Sequence, residues 1–86
     1  MRTDDNDLAP LPTIRTGVHT HYKGGRYEVL GVARHSETHE AVVVYRPLYG
    51  EGALWVRPFE MFTGEVVIDG VSQPRFRWTP DAPAAA

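Results

Sequence analysis

Six consecutive polar residues, His35-Ser36-Glu37-Thr38-His39-Glu40, lie between the apolar runs "YEVLGVA" and "AVVVY". Their side chains are those of two familiar chemistries. Imidazole and carboxylate are good zinc ligands, and His35, Glu37 and His39 alternate, as do His19 and His21. Alternation puts side chains on one face of an extended strand, but these six residues fall where the chain must reverse. The spacing therefore assigns no metal and no cofactor. His35-Ser36-Glu37 also reads as a hydrolytic triad written in a row. Neighbouring residues of an extended chain point to opposite faces, so the three cannot serve one another, and Ser36 would need a distant base such as His21. No catalytic residue is assigned, and a metal-dependent or hydrolytic enzyme is the last of three readings.

Binding explains the same residues better. Arg34, Arg46 and Arg57 fall on or beside three successive strands. If they share a face, they offer an anion a cluster of planar forked donors. The structural alternative is that Glu37 and Glu40 answer these arginines from within, with Ser36 and Thr38 capping local amides. Tyr22, Tyr49 and Trp55, interleaved with Arg34, Arg46 and Arg57, supply the types that stack on single-stranded nucleic acid. This is the second reading. A nucleic-acid binder is normally strongly basic, however, and this chain is not.

The elements that must position these residues are short and extended. Lys23-Gly24-Gly25 is a turn, and a strand follows from Arg26 to about His35, interrupted at Gly31 by a glycine that signals a bulge. Ala41 to Arg46 is a second strand, ended by Pro47. Leu54 to Arg57 is a third, stopped by Pro58. "RPFEMF" suits one helical turn with Phe59 and Phe62 inward. Glu65 to Ile68 is a fourth strand, closed by the turn pair Asp69-Gly70, and "QPRFRW" is a last strand or extended arm. Tyr27, Trp55, Met61 and Phe62 are the expected core. Short strands at close spacing predict a mainly β fold: a small five-stranded SH3-like barrel with a helical turn before the fourth strand. An OB-like barrel is the alternative.

Composition limits the rest. Eighty-six residues make one small domain, expected over residues 14–78. Residues 1–13 and 79–86 lack an apolar period and are expected to be disordered tails. The net charge of −2 conceals a split. Residues 14–78 hold eight basic and seven acidic side chains, hence +1, while the flanks carry −3. The chain has no cysteine, which removes disulfides and thiolate chemistry and favours a reducing cytoplasm. No apolar run reaches membrane-spanning length, so no membrane partner is expected.

Four stretches in order, "HYKGGRYEVLGVARHSETHE", "VVYRPLYG", "WVRPFEMF" and "PRF", resemble the DUF1653 family of small bacterial proteins of uncharacterised function. The resemblance runs from about Gly17 to Phe76. It implies an SH3-like β-barrel and no catalytic residues. The matching positions include His21, Tyr22, Arg34 to Thr38, Tyr49 and Arg57. His19 stands where the family often has tyrosine. The combined expectation is a non-enzymatic module that presents a polar patch to a peptide or small anionic ligand. The expected ligand-binding residues are His21, Tyr22, Arg34, His35, Ser36, Glu37, Thr38, Tyr49 and Arg57.

Overall fold

The structure is a computed structural model and describes residues 9–80. Its elements are β1 (Gly17–His21), β2 (Arg26–Arg34), β3 (Ala41–Pro47), β4 (Trp55–Pro58), α1 (Phe59–Phe62), β5 (Glu65–Ile68), β6 (Val71–Pro74) and β7 (Phe76–Trp78). The five-stranded sheet has the order β4-β3-β2-β1-β7, and β5 and β6 pair as a separate ribbon. All neighbouring strands in both sheets run antiparallel.

The expected mainly β, helix-poor class is what the chain adopts, with two differences in detail. The described residues form seven strands, and the large sheet is open, with β4 and β7 as its edges. Closure fails for want of length. The two edge strands have four and three residues, and β4 runs straight into α1, which folds over one face of the sheet. The unexpected strand is β1. Its sequence GVHTH holds a single aliphatic side chain, so no apolar alternation announced it. The final arm also breaks in two at Arg75. Of the expected tails, residues 1–8 and 81–86 lie outside the described residues. Thr79 is tied to β1 through its amide, which donates to the Val18 carbonyl at 2.9 Å, and its hydroxyl, 2.9 Å from that of Thr20.

Register follows from the sequence at two turns. Asp69 and Gly70 have φ of 52° and 79° and separate the paired Ile68 and Val71, the positive-φ geometry that a two-residue hairpin needs. In β2, the pairing shifts between Val29 and Gly31. The extra residue lets Val29 and Val32 both face inward, opposite Tyr45 and Val43, while Leu30 turns outward and is exposed.

The inner face holds the core: Val29, Val43, Tyr45, Phe62 and Phe76. Phe62 and Phe76 stack face to face, 3.9 Å between centroids, and Tyr45 meets Phe62 edge-on at 5.1 Å. Phe59 and Tyr27 pack around this group, and α1 presents Phe62 as its buried residue. Trp55 and Met61 do not join the core as expected, being 45% and 50% exposed. Trp55 lies on an edge strand with no outer neighbour, and a four-residue helix can turn only one side inward.

Two substitutions separate these roles. Phe62→Ala is expected to cost about 3–5 kcal/mol, most of the stability of so small a domain. Met61→Ala is expected to change it by less than about 1 kcal/mol. Urea denaturation midpoints read both, and equal effects would contradict this assignment of the core.

Candidate functional site

The polar hairpin tip between β2 and β3 is held by its own side chains. The His35 amide donates to the Glu40 carbonyl at 2.8 Å, and the His39 amide donates to the His35 carbonyl at 2.8 Å. His39 takes φ 65°, the left-handed position at which glycine is more usual. Nδ1 of His35 accepts the amides of Glu37 (3.1 Å) and Thr38 (3.2 Å), replacing the asparagine or aspartate that such turns commonly use. The Thr38 hydroxyl accepts the Glu40 amide and donates to its carboxylate. Arg34 reaches back, Nη1 donating to the His39 carbonyl at 3.1 Å and Nη2 to that of Ala9 at 2.7 Å. The loop dispenses with glycine and proline because these side chains close it.

The three arginines do not gather. Arg46 follows Tyr45 in β3 and so lies on the outer face, where it pairs with Glu28, Nη2 to Oε1 2.6 Å. This is the ion pair among the described residues. Arg34 is spent on the tip. Arg57 lies opposite Val43 and so shares the inner face, and Trp55, opposite Tyr45, shares it too.

Arg57 stands among aromatic rings. Nε donates to the Tyr45 hydroxyl at 3.3 Å, and the guanidinium carbon lies 5.8 Å from the Phe76 ring centre. Around it, Tyr27 lies 5.6 Å from Tyr45, 6.3 Å from Trp55 and 5.7 Å from Tyr49 by ring centres. The Tyr27 and Tyr49 hydroxyls are 2.6 Å apart. Burial and then the Tyr49 hydroxyl push the Tyr27 phenol up to about 12.

His21 closes the other side. Its ring lies 4.8 Å from Phe76 and 4.4 Å from Tyr22, while Nδ1 accepts the Lys23 amide at 3.1 Å. The turn behind it requires Gly24, which has φ 105° and donates its amide to the His21 carbonyl. Burial lowers the His21 pKa, and the charges of Arg57, Arg75 and Lys23 lower it further. Arg75 also has a buried Nε with no hydrogen-bond partner among the described residues.

The expected residues thus form two groups rather than one. His21, Tyr22, Tyr49 and Arg57 border the aromatic face. Arg34, His35, Ser36, Glu37 and Thr38 lie at the far end of β2, whose nine residues span about 27 Å. Trp55 and Tyr27 join the first group, although sequence reasoning had assigned both to the core. Among the described residues no three His, Asp or Glu side chains come together to hold a metal ion.

Comparison with known proteins agrees with this architecture. A family model described as DUF1653, a protein of unknown function, matches residues 17–78. The crystal structure of a DUF1653 protein from Bordetella bronchiseptica is similar, with a TM-score of 0.73 and 38% sequence identity over 81% of this chain and 92% of that one. No curated protein matches the chain. No helix of the described residues is long and apolar enough to cross a membrane.

Two predictions concern the histidines. Burial also lowers the His19 pKa, against a smaller opposing effect of its bond to the Gly17 carbonyl. Both His19 and His21 fall below 6.5, so under mild acid the unfolded chain takes up protons that the fold resists. Their contribution is complete above pH 6.5 and is lost as pH falls through the lower folded values. The melting temperature is expected to drop from pH 7 to pH 5, and less steeply in a His21→Gln variant; a rise would contradict it. At the tip, His35→Ala removes the acceptor for two amides and is expected to destabilise by about 1 kcal/mol, read as a urea midpoint.

Proposed function

The chain belongs to the DUF1653 family of proteins of unknown function, and we propose that it is a binding module whose inner aromatic face captures an acidic peptide through Arg57. One observation carries this reading. The Arg57 guanidinium is fixed among Tyr45 and Phe76 with only Nε engaged, and no carboxylate meets it among the described residues. A guanidinium held in place beside rings, with its terminal nitrogens available, loses little freedom when it takes a carboxylate end-on.

The rim suits the same partner. Tyr49 and Trp55 are about half exposed and rigid, the kind of aromatic anchors that dominate peptide interfaces. β4 is a sheet edge, so an extended peptide can add beside it, with alternate side chains falling next to Trp55 and Arg57. His21, Tyr22, Tyr49 and Arg57 are the site residues in this proposal, joined by Tyr27 and Trp55. Arg34, His35, Ser36, Glu37 and Thr38 shape the hairpin tip instead. The proposal is of binding and includes no turnover. The lack of cysteine suits work in a reducing cytoplasm.

Single-stranded nucleic acid would compete for the same rings and arginine, and salt separates the two partners. A displayed library of heptapeptides with a fixed central glutamate is selected on the wild-type protein. Enriched peptides are expected to bind Arg57→Gln about tenfold or more weakly, with only modest salt dependence. Absence of enrichment, alongside salt-sensitive retention of oligothymidylate, would replace the peptide reading with the nucleic-acid one.

A further inference from the structure

A concave site lies beside the Phe62–Phe76 stack, where β1 and β7 meet the segment that leads into β1. It is a cavity of about 200 Å³ lined by Ile14, Arg15, His19, Phe62, Thr63, Phe76 and Trp78. Three features distinguish it from a packing gap. Its floor carries His19, which is 4% exposed and is the buried polar residue of the described chain. Its walls are three aromatic rings. Its mouth carries a cation, the Arg15 guanidinium, 4.3 Å above the centre of the Trp78 ring.

The protonation of His19 follows from geometry. Nδ1 lies 3.2 Å from the Gly17 carbonyl oxygen, which can only accept, so Nδ1 carries the hydrogen. Nε2, across the ring, is then a lone-pair acceptor, and it has no protein partner among the described residues. Phe62 packs edge-on against the imidazole at 5.7 Å and supplies no donor. Unlike the sealed Nε of Arg75, Nε2 of His19 stays solvent-accessible, whereas phenylalanine or leucine would fill this position without presenting an acceptor. The indole is also fixed, because Trp78 Nε1 donates to the Thr16 carbonyl at 3.1 Å.

We infer that this cavity is a binding site for a single-ring aromatic acid that bears a hydrogen-bond donor, a hydroxyl or ring N–H, at the end opposite its carboxylate. A single ring has room beside the Phe62–Phe76 stack and Trp78, in a space of about 200 Å³; an apolar cavity of about 150 Å³ is large enough for benzene. The donor meets His19 Nε2 at the floor. The carboxylate remains at the mouth beside Arg15, where no acidic side chain lines the cavity to compete. Each end of such a molecule meets a polar group that has no hydrogen-bond partner among the described residues, and its middle buries apolar surface. Arg57 does not line this site, although the Phe76 ring borders both it and the peptide-binding face.

The probe is 4-hydroxybenzoate, titrated against the full chain in a Trp55→Phe background so that fluorescence reports Trp78. Benzoate and methyl 4-hydroxybenzoate are run in parallel. Saturable binding of 4-hydroxybenzoate is expected, with both analogues about tenfold weaker, one for lack of the donor and one for lack of the charge. Arg15→Gln should reduce the affinity for 4-hydroxybenzoate to that for its methyl ester, while Arg57→Gln should leave both unchanged. His19→Phe should abolish the preference for 4-hydroxybenzoate over benzoate. If that variant does not fold, the ratio on the wild-type floor together with Arg15→Gln decides the matter. No saturable binding at millimolar concentration, or equal binding of 4-hydroxybenzoate and benzoate, would overturn the inference.

Discussion

The face-to-face contact of Phe62 with Phe76 holds the molecule together. The two residues come from a one-turn helix and a three-residue edge strand, neither of which is stable alone. Stacked at 3.9 Å over Tyr45 and Val43, they fasten the end of the chain and α1 onto the long β2–β3 hairpin. Remove that contact and the sheet loses its cover on the inner face, and the Arg57 face and the cavity at His19 both lose the Phe76 ring that borders them. Fold and candidate function therefore draw on one set of rings, as expected in a chain too small to keep separate residues for each.

That economy explains why the inner face is aromatic rather than aliphatic. Rings bury a large area with few rotatable bonds, and they leave edges and faces that can still meet a guanidinium or an imidazole. Arg57 and His21 sit against Phe76, and Arg15 sits over Trp78. Each is a polar group supported by a ring that also belongs to the structural framework. The outer face behaves differently. There, Arg46 is met by Glu28 in an ordinary exposed ion pair, which contributes little to stability and leaves nothing for a ligand.

Much of the architecture was legible in the residues. Three valines before Pro47 marked β3, Asp69-Gly70 marked the β5–β6 turn, and Gly31 marked the bulge that resets β2. β1 was not legible because its inward positions are filled by His19 and His21, which read as polar although one is buried. Their alternation was the available signal: it does place both on the inner face, where they pack against Phe62 and Phe76 and hydrogen-bond locally. Trp55 misled in the opposite direction. Its bulk suggested core, whereas a place on an edge strand, set by pairing alone, leaves it half exposed. The hairpin tip attracted attention by its polarity. Several of its polar groups serve the loop itself, His35 accepting the amides of Glu37 and Thr38 and Thr38 bonding to Glu40, and local sequence does not distinguish such self-satisfaction from a site.

The central claim is that recognition belongs to the inner face around Arg57, whereas the polar tip is structural. Amide chemical-shift mapping by NMR tests it most directly. Upon addition of a selected acidic peptide, the account predicts perturbations concentrated at residues 21–27, 49, 55–57 and 76, with residues 35–40 unmoved. Perturbations confined to 35–40, with the surroundings of Arg57 silent, would contradict it.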